Sequence, residues 1–107
     1  FFFNPIRYTS MGLGVIEAMM VGLPVVALAT TEMTTVIRDG LNGFIDTQPK
    51  RLIERMRALL LDPQLAKALG DEARRTALER FNIKRFVADW NAAFADVTGA
   101  KNERFAA

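Results

Sequence analysis

Residues 9–17 read Thr9-Ser10-Met11-Gly12-Leu13-Gly14-Val15-Ile16-Glu17. Small hydroxyl residues and glycines that lead from a turn into a helix make an anion site. The first backbone N–H groups of a helix have no partner inside it, and the helix dipole favours negative charge at that end. Gly12 and Gly14 leave no side chain in the way of a phosphate. Thr9 and Ser10 add hydroxyl donors. Tight local geometry is the commoner reason for glycine at a strand–helix turn, so this run alone is a weak signal. Glu17 falls in the first turns of a helix that is otherwise apolar, among Val15, Ile16, Ala18, Met19 and Met20. A carboxylate there needs water or a partner. It could accept hydrogen bonds from both hydroxyls of a ribose. On pattern alone, the simpler assignment is a solvated Glu near a helix N-terminus.

Other candidates are plainer. Glu32 lies in a polar loop after a strand, where ligand sites of parallel sheets gather, or it is an ordinary loop carboxylate. Asp39-Gly40 reads as a turn. Met19, Met20 and Met56 read as core filler. Lys50, Arg51, Arg55 and Arg57 read as a solvated helix face, the alternative being contact with anionic lipid or a phosphate-bearing acceptor.

The elements around these residues alternate. Residues 1–3 are three phenylalanines before Asn4-Pro5, and they read as the end of a buried strand. A helix follows, capped by Thr9 or Ser10, with Gly22 at its C′ position and Pro24 as the stop. Residues 24–29 form a continuous apolar strand without alternation, as expected of a strand covered on both faces. Residues 30–35 are polar and lead into Val36-Ile37-Arg38, with a short helix expected between the second and third strands. Asp39-Gly40 and Asn42-Gly43 are turns, and residues 44–46 are a third strand.

From residue 50 the period turns helical, with Leu52, Ile53, Met56, Leu59 and Leu60 on one face. Asp62-Pro63 supplies an N-cap and a proline at the first helical position. The spacing predicts a short helix ending at Gly70, another from about Asp71 to Phe81, and a last one capped by Asn82. The apolar positions of the last helix are Ile83, Phe86, Val87, Trp90, Phe94 and Val97. Thr98-Gly99 ends it, and residues 98–107 are expected to be a flexible tail. The fold class is α/β: three short parallel strands with helices on both faces plus C-terminal helices, half of a Rossmann-like domain.

Composition removes several function classes. In 107 residues there is no cysteine and no histidine. That excludes a disulfide framework, a thiol nucleophile, a zinc ribbon and a Ser-His-Asp triad. No apolar run reaches the roughly 18 residues that a membrane span needs. The 14 basic and 12 acidic residues give a net charge of +2 with mixed signs, so no nucleic-acid partner is expected. No metal and no cofactor are expected.

The run Ser10-Met11-Gly12-Leu13-Gly14-Val15-Ile16-Glu17-Ala18-Met19 followed by Gly22-Leu23-Pro24-Val25-Val26-Ala27 resembles the nucleotide-sugar site of retaining glycosyltransferases with the GT-B fold, in particular the "glycosyl transferases group 1" family. That family typically reads E-G-F-G-L-x-x-x-E-A-M-A-x-G-x-P-V-V-A. The agreement continues through Val36-Ile37-Arg38-Asp39-Gly40, Asn42-Gly43-Phe44 and Asp62-Pro63, on to Leu69-Gly70, Ala73-Arg74 and Phe81-Asn82. It covers most of residues 3–97.

The resemblance implies a site position by position. Backbone amides of the turn hold the donor's diphosphate, which maps to Ser10, Met11, Gly12 and Leu13. The motif's second Glu holds the ribose, which maps to Glu17. The first Glu faces the sugar, and Thr9 stands there without a carboxylate. A loop that often carries Gly-Gly and a Glu is here Thr31-Glu32-Met33-Thr34-Thr35, with Thr35 in place of that Glu. The family's acceptor-binding domain lies upstream, as do the Arg and Lys that stabilise the leaving diphosphate.

The chain is therefore expected to be the C-terminal part of a longer cytoplasmic glycosyltransferase of the hexosyltransferase type. Residues 1–97 would be the C-terminal portion of its donor-binding domain. The substrate would be a nucleotide-sugar such as a UDP- or GDP-sugar, and the chain alone would be inactive. A half-domain leaves an exposed sheet edge, so self-association is expected. The alternative is a stand-alone, non-catalytic nucleotide-binding or protein-interaction module. A receiver-like signalling domain would need an acidic cluster after its first strand, and the sequence has none there.

Overall fold

The computed structural model describes residues 1–99. Residues 100–107, and with them most of the expected tail, lie outside the described residues.

Three parallel strands form one sheet in the order β1 (Phe2–Asn4), β2 (Val25–Leu28), β3 (Gly43–Asp46). The register pairs Phe2 with Val25 and Val26 with Phe44. The central strand is buried along its whole length, which is why its sequence does not alternate. Its side chains still divide by parity between the two faces. Val25 and Ala27 meet Val15 and Met19 of α1 (Leu13–Met20), Met33 and Val36 of α2 (Met33–Val36), and Ala73 and Ala77 of α4 (Pro63–Arg80). Val26 and Leu28, with Phe44, meet Leu52 and Leu59 of α3 (Pro49–Leu61) and Leu69 of α4. Each fully buried Val, Leu or Met side chain among these contributes about 1.5–3 kcal/mol. Helices thus cover both faces, as the α/β reading expects.

Caps mark three of the helix boundaries. Asp62 accepts the backbone N–H groups of Gln64 and Leu65 at 3.1 and 3.0 Å, with Pro63 at the first turn. Asn82 accepts the N–H of Arg85 at 2.9 Å and opens α5 (Ile83–Thr98). At the end of α1, the N–H of Leu23 reaches the carbonyl of Ala18 and that of Gly22 reaches Met19, both at 3.0 Å, with Gly22 at φ +82°. This is the two-bond C-terminal closure that needs a left-handed residue.

The short helix expected between the second and third strands is the single turn α2, whose Met33 and Val36 are three apart and both buried. Two expectations need correction. The N-cap of α1 is Gly12, not Thr9 or Ser10, and no side chain caps that end. Gly70 does not end a helix: α4 runs unbroken from Pro63 to Arg80. A β-carbon at Gly70 would overlap the carbonyl oxygen of Gly22. The glycine lets two helices approach closely instead of stopping one.

Helix α5 is unlike the others, since none of its residues is buried. Phe86, Trp90 and Phe94 stack along it, with ring centroids 6.2 and 5.4 Å apart.

Candidate functional site

Parallel strands point their carboxyl ends the same way, so the loops after β1 and β2 share one edge of the sheet. The first of these, residues 5–12, rises into the N-terminus of α1. The second, residues 29–32, lies against it. Thr30 Oγ1 donates to the carbonyl of Ile6 at 3.2 Å. Thr31 Oγ1 lies within donating distance of two carbonyls, that of Thr9 and that of Ser10, the latter at 3.0 Å.

The mouth of α1 is rich in free donors. The N–H of Val15 closes back on the carbonyl of Gly12 at 3.1 Å. The N–H groups of Ser10, Met11, Gly12, Leu13 and Gly14 have no acceptor among the described residues. A β-carbon on Gly12 would project into open space, so packing does not demand glycine there. At Gly14 a β-carbon would lie 3.4 Å from the ring of Phe2, the ordinary contact of helix on strand.

Glu17 stands one turn beyond Leu13 on α1, and residues four apart share a helix face. Both are exposed to solvent. The carboxylate of Glu17 makes no hydrogen bond or ion pair among the described residues. Unpaired donors and a free carboxylate therefore stand within one turn of each other on an open surface. Such a surface can bind a ligand that is anionic at one end and rich in hydroxyl groups at the other.

The six candidates Thr9, Ser10, Met11, Gly12, Leu13 and Glu17 thus fall together. Thr9 sits half-buried where the loop meets Thr31. Leu13 also borders an apolar groove of about 500 Å³ against Phe81, Phe86 and Trp90.

Glu32 lies in the β2 loop beside Thr31. It precedes α2, and its carboxylate accepts the hydroxyl of Thr35 at 3.1 Å. Asp39 serves its turn, accepting the N–H of Ile45 at 3.1 Å. Met19 is buried, and Met20 and Met56 pack at the core margins. The basic residues of α3 are exposed. Arg51 pairs with Asp46 at 3.4 Å, and Arg55 lies over the ring of Phe44 at 4.8 Å. Asp46 itself is held below the ordinary carboxylate range, first by the N–H of Gln48 and then by Arg51, against some desolvation.

Sequence reasoning missed Thr31. Its φ of +47° is the only positive value at a non-glycine among the described residues. The motif signal at that place is only that glycines are usual. No group of three His, Cys, Asp or Glu among the described residues could hold a metal ion, and no described helix is long and apolar enough to cross a membrane.

The family model of "Glycosyl transferases group 1" matches residues 1–76. The chain is 35% identical over 92 residues to "Putative glycosyltransferase EpsD" of Bacillus subtilis (strain 168), covering 81% of this chain and 24% of that protein. The solved sucrose-phosphate synthase from Thermosynechococcus elongatus superposes with a TM-score of 0.77 at 25% identity, over 88% of this chain and 24% of that one. Anabaena HepE, solved in complex with UDP-glucose, gives a TM-score of 0.74 at 24% identity, over 80% and 24%. The chain therefore spans about a quarter of the length of each of these proteins.

Proposed function

The chain belongs to the group 1 glycosyl transferases, and we propose from that premise that it binds the nucleoside diphosphate part of a sugar donor. In this reading the N–H groups of Ser10, Met11, Gly12 and Leu13 hold the diphosphate, with the positive end of the α1 dipole behind them. Glu17 accepts both ribose hydroxyls. Thr9 faces the sugar and offers a hydroxyl where a carboxylate is usual.

The observation that carries the reading is the row of free N–H donors at the mouth of α1 with the free carboxylate of Glu17 one turn on. HepE, of similar fold, has been solved with UDP-glucose, which supports a UDP-sugar as the donor.

In the same reading, residues 1–97 are the C-terminal portion of a donor-binding domain. The parent transfers a hexose to an acceptor hydroxyl with retention of configuration. The acceptor site and the cationic groups that stabilise the leaving diphosphate belong to the rest of the parent. The chain alone binds nucleotide weakly and turns nothing over. Thr9 favours a second reading, a nucleotide-binding module without chemistry, because it cannot supply the carboxylate that faces the sugar.

Calorimetric titration of the chain with UDP, GDP and ADP tests the proposal. Saturable binding of at least one, tighter than that of its nucleoside, is expected. Binding no tighter than that of the corresponding nucleosides, or no binding of any of the three, would contradict it.

A further inference from the structure

We infer that Thr31 is a positioning residue that aims the diphosphate-binding amides of Ser10 and Met11. The inference rests on the proposed nucleotide site and adds the group that holds it in shape.

Thr31 occupies the left-handed region, at φ +47°. A β-branched side chain there is a genuine outlier. Its hydroxyl reaches the two consecutive carbonyls of Thr9 and Ser10. In a planar trans peptide the C=O and the following N–H point in opposite directions. A carbonyl of Thr9 drawn toward Thr31 therefore turns the N–H of Ser10 away from it. A carbonyl of Ser10 drawn the same way does the same for the N–H of Met11. These two N–H groups are among those with no acceptor among the described residues.

Without the hydroxyl, either peptide plane could flip. A flip would present a carbonyl oxygen to the phosphate where a donor should be, changing attraction to repulsion. A concave set of successive N–H groups binds anions only while all of them point inward. Neighbouring contacts keep Thr31 in place. Thr30 Oγ1 is tied to Ile6, and Thr34 Oγ1 donates to the carbonyl of Thr31 at 3.2 Å. The segment thus bridges the β1 and β2 loops at both Thr30 and Thr31.

The test is a titration of the ¹⁵N-labelled chain with UDP, uridine and inorganic pyrophosphate, following the amides of residues 10–14. Wild type, Thr31→Val and Thr31→Ser are compared. Valine keeps the shape and branching of threonine and removes the hydroxyl, while serine keeps the hydroxyl. Dispersed spectra with unchanged core resonances establish that each variant is folded.

The expected result is a loss of roughly 10-fold or more in UDP and pyrophosphate affinity for Thr31→Val. Uridine binding is unchanged, and Thr31→Ser is restored to near wild type. Wild-type affinities for all three ligands in Thr31→Val would overturn the positioning role and leave the nucleotide reading intact. An equal loss for UDP and uridine would also overturn it, since aiming amides at phosphate should not affect a nucleoside. Failure of wild type to bind either UDP or pyrophosphate would overturn both.

Discussion

Gly70 of α4 faces Gly22 at the end of α1 so closely that the Gly22 carbonyl oxygen fills the place a Gly70 β-carbon would need. The Cδ of Pro24 borders the same spot at 3.3 Å. Arg74, one turn further along α4, donates to the carbonyl of Met20. Together these contacts fix α1 against α4, and α1 carries the donors and carboxylate of the proposed site.

Replacing Gly70 with alanine therefore sets two effects against each other. Helix propensity favours alanine by about 1 kcal/mol. Overlap with a backbone oxygen costs more, because backbone cannot step aside as a side chain can. A net loss of about 1–3 kcal/mol is expected from urea unfolding of Gly70→Ala. Equal or greater stability would show that the approach of the helices is not constrained there.

Asn42 ties three segments from a position only 1% exposed. It accepts the N–H of Arg38 at 2.8 Å and donates to the carbonyl of Val36 at 3.1 Å and to Thr76 Oγ1 at 3.2 Å. Asn42→Ala leaves buried groups unsatisfied and should cost about 2–3 kcal/mol. Asn42→Asp keeps the acceptor but buries a charge, and should lose at least as much. Thermal melts rank the two, and an aspartate variant as stable as wild type would contradict this account.

Much of this frame was legible in the sequence, and what was legible was local. The unalternating run of β2, the Asp62-Pro63 start of α4 and the Asn82 cap depend on neighbours in the chain. Gly70 before Asp71 imitates a helix stop and restart, and only the distant Gly22 reveals its purpose. The same holds for Thr31, whose partners lie 21 and 22 residues away. The candidates Thr9, Ser10, Met11, Gly12, Leu13 and Glu17 fall together in space because they are close in the chain, on one turn and one helix. The apolar period of α5 was plain, but period alone does not say whether a stripe is covered.

Asp46 should leave a mark on acid stability. Its folded pKa lies below the ordinary 3.8 because of the Gln48 N–H and Arg51. A depressed carboxylate contributes stability that is complete above its unfolded pKa and is lost as pH falls through the folded value. The stability difference between wild type and Asp46→Asn should hold steady from neutral pH down to about pH 4 and shrink below it. Denaturant melts across this range check the sign, and a difference that grows in acid would contradict it.

The stripe on α5 exposes half or more of Phe86, Trp90 and Phe94, and Phe1 and Phe3 at the β1 edge are about 40% exposed. Contiguous apolar surface of this kind drives association. Light scattering should show the average mass rising with concentration, and Trp90→Glu with Phe94→Glu should lower it. A monomer at every concentration would contradict the expectation.

The most direct test of the nucleotide site compares wild type with Glu17→Ala against UDP and 2′,3′-dideoxy-UDP. The account predicts that wild type prefers UDP, that Glu17→Ala weakens UDP roughly 10-fold to 100-fold, and that it leaves the dideoxy analogue unchanged. Equal UDP affinity in the two proteins would contradict the ribose-binding role of Glu17, and with it the account of this surface as a nucleoside diphosphate site.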